Sequence, residues 1–118
     1  MTRADEPAPA VVTGATGLVG RALLRRLDAP IILTRSPDRA AMALPGAVAR
    51  RWDPEAEPAP AASLAGADVV FHLAGEPIAA GRWTAARRRR IRDSRVLGTR
   101  HLVAGLAALE RRPAVLVS

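Results

Sequence analysis

The chain has 118 residues, 49% of them hydrophobic, which suits one domain with a packed core. It contains no cysteine, which excludes disulfides, thiolate metal sites and thiol catalysis. The net charge is +7, and all eighteen basic residues are arginine, so lysine is absent, as is tyrosine. Residues 1–10 lack the apolar run of a signal peptide, and no segment is apolar enough to span a membrane. We therefore expect a cytoplasmic protein that does not bind membranes.

Short apolar segments alternate with helix signals along the chain, after a polar, proline-containing start at residues 1–9 that we expect to be disordered. The apolar segments are typical of strands that are buried on both faces of a parallel sheet. The alternation predicts an α/β domain over residues 1–118, a three-layer Rossmann fold with a doubly wound parallel sheet in the order 3-2-1-4-5. The predicted strands are 10–13, 30–34, 47–52, 68–73 and 113–118, and the predicted helices are 18–27, 36–44, 61–64 and 84–111.

Two of the predicted helices begin with recognisable signals. The second follows Ser36-Pro37-Asp38, which offers a capping hydroxyl, a proline in the first turn and an acid near the positive end of the helix. Thr84 offers a cap to the last helix, after a loop predicted at residues 76–83.

A glycine-rich turn joins the first strand to the first helix, with the spacing Gly-x-x-Gly-x-x-Gly. Gly14 allows a tight reversal, Gly17 lets the backbone approach a diphosphate, and Gly20 lets the helix pack closely against the strand. The N–H groups at the helix start favour an anion, although a flexible turn is the alternative explanation of the glycines. We predict that this turn binds the diphosphate of a nucleotide through Gly14, Thr16, Gly17, Leu18 and Val19.

The end of the second strand bears on which nicotinamide cofactor binds. An acid at this point would bind the adenosine ribose and repel a 2′-phosphate, but the chain has Arg35 and Ser36 there. A guanidinium beside a hydroxyl suits a phosphate, so we predict NADP as the cofactor. The alternative is that Arg35 is an ordinary solvent-facing arginine.

The ends of the third and fourth strands supply further candidates. Asp53 is placed either to accept a hydrogen bond from the adenine amino group or to start an Asp-Pro turn. Leu73, Ala74 and Gly75 are small enough, as a group, to leave space for a ribose beside the glycine turn.

The two histidines do not have partners at metal-ligand spacing, so no metal site is predicted. His72 lies within an apolar strand, which favours a structural role. His101 is expected on an exposed helix face.

The run Arg87–Arg90, followed by Arg92, raises the possibility of nucleic-acid binding. Four consecutive helical positions point in all directions, and no aromatic residues lie between them to stack on bases. A solvated helix start explains the run better, and we expect no nucleic-acid partner.

Three segments resemble the extended and atypical short-chain dehydrogenase/reductases: Thr13–Gly20, Asp68–Gly75 and Gly98–Arg100. Four more resemble the NADP-dependent, nucleoside-diphosphate-sugar epimerase-like branch: Leu33–Arg35, Arg51–Pro54, Gly75–Ile78 and Arg92–Arg95. The resemblance runs from the first strand to the fifth and covers only the amino-terminal part of such a protein. It implies cofactor binding and, in a complete protein, hydride transfer.

The departures from the family are also informative. The resemblance implies a catalytic Tyr-x-x-x-Lys segment after the fifth strand, whereas this chain contains neither residue type. Arg95 stands where many relatives have asparagine. Its spacing from Ile91, Leu102 and Leu109 predicts the inward helical stripe, facing the cofactor, with a surface charge as the alternative.

We therefore expect an NADP-binding domain truncated after strand five, inactive as a fragment and without a catalytic residue of its own. A small-molecule substrate would need the missing carboxyl-terminal part. The alternatives are a noncatalytic NADP sensor or scaffold and, with less support, an arginine-rich nucleic-acid binder. The apolar fifth strand would form an exposed sheet edge, which predicts a homo-oligomer paired through that edge.

Overall fold

A computed structural model of the chain describes residues 9–15, 17–74 and 82–118. Five strands and four helices alternate along these residues. The strands are β1 (Ala10–Thr13), β2 (Ile31–Thr34), β3 (Val48–Arg51), β4 (Val69–His72) and β5 (Val115–Val117), and the helices are α1 (Leu18–Leu24), α2 (Pro37–Ala43), α3 (Ala61–Leu64) and α4 (Ala85–Ala107).

The five strands form one parallel sheet in the order β3-β2-β1-β4-β5. The predicted topology is therefore confirmed. β1 lies between β2 and β4, with Val12 opposite Ile32 on one side and opposite Phe71 on the other. The strand order reverses at β1 and β4, and the carboxyl ends of these two strands form the edge where doubly wound folds bind ligands.

Helices cover both faces of the sheet because successive strand residues point to opposite faces. On one face Val12 and Ile32 pack with leucines from α1 and from the end of α2. On the other face Val11 and Val70 belong to the larger core cluster, whose remaining buried members are Leu33, Trp52, Ala59, Leu64, Ala67 and Leu102. This arrangement gives the three layers that the sequence predicts.

Two helices end earlier than predicted. α1 ends at Leu24 rather than Leu27 because the chain tightens into i→i−3 hydrogen bonds and then takes a left-handed conformation at Ala29, with φ 43°. α4 ends at Ala107 rather than near residue 111, again with an i→i−3 bond from the Leu109 N–H to the Leu106 carbonyl. The short helix predicted at residues 61–64 is confirmed.

The two predicted caps have different outcomes. Thr84 caps α4 as predicted, since its Oγ1 accepts a hydrogen bond from the Arg87 N–H at 3.1 Å. The predicted capping hydroxyl of Ser36 is wrong, because no side chain caps α2. Instead the Ser36 N–H donates to Thr34 Oγ1 at 3.1 Å, which ties the start of α2 to the end of β2.

The segment after β3 folds back over α4, and this corrects the prediction for His101. His101 is half-buried rather than on an exposed face, and its Nδ1 lies 2.6 Å from the Pro54 carbonyl oxygen. The His101 carbonyl also accepts a hydrogen bond from the Ala59 N–H at 3.0 Å. The sequence does not show that residues 54 to 59 would cover this face of the helix.

β5 is the edge strand of the sheet beside β4. Its three residues, Val115, Leu116 and Val117, are 49%, 45% and 41% exposed. Among the described residues, no helix combines the length and apolar character needed to cross a membrane.

Candidate functional site

The turn after β1 lies directly against the chain that leaves β4. Gly14 has φ +72°, and a Cβ at this position would stand 2.5 Å from the backbone carbon and oxygen of Leu73 and 2.6 Å from the Ala74 nitrogen. Only glycine fits such a contact and such a conformation. The structure therefore brings together Gly14, Leu73 and Ala74, which the sequence places in two separate motifs.

Gly17 differs from Gly14 because the protein's own packing does not require a glycine there. Its φ of −73° and ψ of 174° are open to any residue. Apart from its two chain neighbours, the described residues bring one atom within 4 Å of a Cβ at this position, the Gly14 carbonyl oxygen at 3.5 Å. Gly17 is exposed and is the N-cap of α1, which no side chain caps. The described residues therefore leave space for a bound molecule in front of Gly17 and at the first N–H groups of α1.

Gly20 lies on the inner side of the same turn. A Cβ there would be 2.5 Å from the Gly14 carbonyl oxygen and 2.7 Å from Ala15 Cα. Close helix packing is as predicted, but the contact is with the glycine turn rather than with β1 itself. Val19 is 65% exposed, whereas Thr16, Gly75 and the side chain of Leu18 lie outside the described part of the structure.

A buried polar network connects β1, β4 and α4 just behind this turn. Thr13 Oγ1 accepts hydrogen bonds from the N–H groups of Leu73 and Ala74, both at 3.1 Å. Because both of its acceptor positions are used, its own hydrogen is directed at His72 Nδ1, 2.8 Å away. The His72 proton is then on Nε2, which donates to Thr99 Oγ1 at 3.1 Å.

This network requires a neutral His72 and supports its structural interpretation. His72 is 6% exposed, and its pKa is lowered, first by burial and second by the positive charge of Arg95. Thr13 and Thr99 were not predicted as parts of the site. The sequence does contain one feature that points to this network: Thr13 is a polar residue at the end of an otherwise apolar strand.

Arg95 does not lie on the inward stripe of α4, so that prediction is wrong. The stripe contains Ser94 instead, together with Ile91, Gly98, Leu102 and Gly105. Arg95 follows Ser94 in the sequence and is rotated from it by about 100° around the helix axis. The Arg95 side chain is therefore exposed. It lies one turn before Thr99, which bonds to His72, and this places Arg95 on the side of α4 near the end of β4. Its positive charge contributes to the lowered pKa of His72.

The ends of β2 and β3 carry a cluster of charged side chains, which we call the strand-end cluster: Arg35, Arg51 and Glu55. The Arg35 guanidinium lies 4.0 Å from Glu55 Oε2, and the two side chains are 63% and 34% exposed. Arg51 reaches across from β3 and donates from its guanidinium to the Arg35 carbonyl oxygen at 3.0 Å. Ser36 is exposed beside them. Arg51 and Glu55 were not predicted.

Asp53 starts a turn, one of the two roles considered for it. Its Oδ1 accepts a hydrogen bond from the Glu55 N–H at 3.1 Å, and its carbonyl oxygen accepts one from the Ala56 N–H at 3.1 Å. This Asx turn uses one carboxylate oxygen on the backbone. It sets the path of the segment that carries Glu55.

The start of α4 is mostly solvated. Arg88, Arg89, Arg90 and Arg92 are exposed, and Arg87 is half-buried. Within the described ranges, no three acidic or histidine side chains form a group that could bind a metal.

The sequence model of the NAD-dependent epimerase/dehydratase family matches residues 10–118, which is nearly the whole chain. The chain belongs to this family. Among curated protein sequences, none matches it significantly. The match extends from β1 through β5 and includes both the glycine turn and the strand-end cluster.

Three solved structures have the same fold over most of this chain. A nucleoside-diphosphate sugar epimerase from Corynebacterium glutamicum is 37% identical, with a TM-score of 0.62 over 91% of this chain and 21% of its own. The human epimerase family protein SDR39U1, solved with NADPH, is 25% identical, with a TM-score of 0.69 over 92% and 35%. A uronate dehydrogenase variant from Agrobacterium tumefaciens, solved with NAD, is 24% identical, with a TM-score of 0.59 over 87% and 37%.

The chain spans between 21% and 37% of the length of these three proteins. The family match and the two closer neighbours support a nucleotide-binding, oxidoreductase-like domain. The uronate dehydrogenase, at 24% identity, is evidence for the fold alone.

Proposed function

We propose that the chain is the NADP(H)-binding domain of an epimerase-like oxidoreductase. The observation that carries this proposal is the open space at Gly17, in a turn that is otherwise tightly packed. Unlike Gly46 and Gly66, which have positive φ, Gly17 has a backbone conformation open to any residue, and the described residues leave room for a Cβ there. A ligand that approaches the backbone would explain a glycine at such a position. Family membership and the position of the turn at the strand-order reversal support the same conclusion.

The described residues fit a dinucleotide that lies across the carboxyl ends of the strands. The turn at Gly14 and Gly17 would hold the diphosphate, and Leu73 and Ala74 would lie beside a ribose. Asp53 has one carboxylate oxygen outside its turn hydrogen bond and would face the adenine end. Thr16, Leu18, Val19 and Gly75 complete the proposed contacts from the sequence motif. When bound, the nicotinamide supplies a hydride donor or acceptor.

NADP is preferred over NAD in this proposal because of Arg35 and Ser36. The Arg35 guanidinium is largely exposed at the end of β2, and Ser36 presents an exposed hydroxyl next to it. A guanidinium and a hydroxyl together suit a phosphate dianion. SDR39U1 was solved with NADPH, which is consistent with this choice.

The longer protein to which such a domain belongs would transfer hydride to or from a carbon of a small-molecule substrate. This chain supplies no tyrosine and no lysine, so the proton-transfer pair of the family would come from residues outside it. We therefore propose that the 118-residue chain binds cofactor without turning it over. Steady oxidation of NADPH by the purified chain with a carbonyl or sugar-nucleotide substrate would contradict this.

The binding proposal is tested by thermal unfolding in the presence of NADP, NADPH, NAD or NADH. A ligand that binds only the folded state raises the midpoint, so NADP and NADPH should raise it most. Calorimetric titration of Arg35→Asp should then show NADP affinity falling far more than NAD affinity. Arg39→Asp, an exposed residue on α2, makes the same charge change and is the control. Equal losses for both cofactors would refute the role of Arg35.

A further inference from the structure

The strand-end cluster is held in place by contacts on both sides. Arg51 is opposite Thr34 in the sheet, and its guanidinium hydrogen bond to the Arg35 carbonyl fixes the backbone from which Arg35 extends. The Trp52 N–H donates to the Thr34 carbonyl at 2.8 Å, which continues the pairing one residue beyond β3. The two arginines therefore extend from neighbouring, hydrogen-bonded chain segments.

Glu55 is held against these arginines by its own segment. The Asx turn of Asp53 sets the Glu55 backbone, and the Trp52 Nε1 donates to the Glu57 carbonyl at 2.9 Å on its other side. The hydrogen bond of His101 with the Pro54 carbonyl attaches the same segment to α4. The backbone of Glu55 is thus held beside Arg35 by the fold rather than by the motif at the end of β2, and its carboxylate lies 4.0 Å from the Arg35 guanidinium.

A carboxylate beside the proposed phosphate-binding arginine has two electrostatic effects. It offsets the repulsion between two guanidinium groups that share this edge, and it forms an ion pair with Arg35 when no phosphate is bound. A 2′-phosphate dianion would have to displace that carboxylate from Arg35 and would also be repelled by it. NAD carries no 2′-phosphate, so the carboxylate has no comparable effect on its binding.

We propose that Arg51 and Glu55 are specificity-determining residues of the cofactor site. Arg51 is a second cation for the 2′-phosphate, and Glu55 competes with that phosphate for Arg35, which reduces the preference for NADP over NAD. This inference rests on the proposed function, since it requires that the chain binds NADP at Arg35.

Substitutions of Glu55 and Arg51 should change the affinity for NADP in opposite directions. Glu55→Gln removes a half-buried acid that pairs with an exposed arginine, and it should tighten NADP binding by about two- to fivefold, without a change for NAD. Arg51→Gln should weaken NADP binding by about three- to tenfold, through the loss of one charge-assisted contact, and should change NAD binding little. Both effects should shrink as salt is raised from about 20 mM to about 300 mM, because both arginines are exposed and Glu55 is partly exposed.

The experiment is calorimetric titration of the 118-residue chain and its variants with NADP and NAD. Glu57→Gln is the matched control for Glu55, because it removes the same charge from the same segment at an exposed position. Arg50→Gln is the control for Arg51, since the Arg50 guanidinium donates within its own strand, to the Ala49 carbonyl at 3.3 Å. Circular dichroism establishes that each variant folds.

The outcomes separate this inference from the proposed function. If the wild-type chain binds neither cofactor, the proposed function fails and the inference with it. If the wild type binds NADP but Glu55→Gln and Glu57→Gln change its affinity equally, only the inference is overturned. Weaker NAD binding by Glu55→Gln, with NADP unchanged, would show that Glu55 binds a ribose hydroxyl and would also overturn it.

Discussion

Replacing Gly17 with alanine should weaken cofactor binding by more than tenfold while leaving the fold intact. The substitution adds one methyl group at the N-cap of α1, in a backbone conformation with φ −73° that alanine adopts freely. The nearest heavy atom to that methyl group is the Gly14 carbonyl oxygen at 3.5 Å, an ordinary van der Waals contact. The folded protein therefore has room for the added group.

Two opposing effects on stability follow from this geometry. Alanine restricts the unfolded chain, which stabilises the folded state by about 0.4–1 kcal/mol. Alanine is also a poorer N-cap than glycine, which costs roughly 1 kcal/mol or less. The free energy of unfolding should thus stay within about 1 kcal/mol of the wild-type value. Binding should weaken by more than tenfold, or about 1.4 kcal/mol, because the methyl group stands where a diphosphate approaches the backbone.

Urea unfolding measures the first quantity, and titration of NADPH fluorescence measures the second. Gly46→Ala, far from the site in a position with open space around it, controls for the general effect of a glycine substitution. A Gly17→Ala chain that folds and still binds NADPH with wild-type affinity would refute the assignment of the open space to a diphosphate. A large loss of stability would refute the packing argument.

Four other predictions concern folding, pH and association. Gly14→Ala should lower the free energy of unfolding by about 2–5 kcal/mol, through left-handed strain and a backbone clash, whereas Gly46→Ala has only the strain, about 1–2 kcal/mol. Burial lowers the pKa of His72 in the folded protein, so at a pH below the ordinary histidine pKa of about 6.5 the unfolded state binds more protons than the folded state. The free energy of unfolding should therefore fall as the pH drops from about 6.5 through the lowered pKa. Thr84→Ala should cost about 0.5–2 kcal/mol in urea unfolding, through loss of the cap of α4. The wild-type chain should self-associate through β5 in light scattering, and Leu116→Lys should reduce that association.

Three of these predictions have a defined contrary result. Equal destabilisation by Gly14→Ala and Gly46→Ala would exclude the clash with Leu73. A His72→Asn chain with the same pH dependence of stability between about pH 5 and 7 would assign that dependence to other groups. A wild-type chain that is monomeric at high concentration would rule out association through the sheet edge.

The order of the elements could be predicted from the sequence because it depends on local patterns. Short apolar segments that alternate with helix signals leave few arrangements other than a parallel, doubly wound sheet. The glycine spacing likewise predicts the turn after β1. Element ends were less accurate, since the end of α1 depends on the i→i−3 turns and the left-handed Ala29 that follow it.

The site could be predicted only where its residues lie within one motif. Gly14, Gly17 and Arg35 could be proposed as site residues because they follow strands that the sequence itself indicates. Helical periodicity was too coarse for Arg95, since an error of one position moves a side chain by about 100° around the helix. The hydroxyl of Ser36 was assigned to the wrong task because the Thr34 side chain already holds the Ser36 N–H.

The sequence by itself determined the fold class, the glycine turn after β1 and the absence of tyrosine and lysine, because these depend on composition and on neighbouring residues. Tertiary structure decided which distant residues meet. His72 bonds to Thr13 from 59 residues away, His101 to Pro54 from 47 away and Arg51 to Arg35 from 16 away. Such pairs form only when strands and helices pack, so they cannot be predicted from local sequence patterns. The same packing places Glu55, an acid outside every strand-end motif, beside the arginine proposed to bind phosphate.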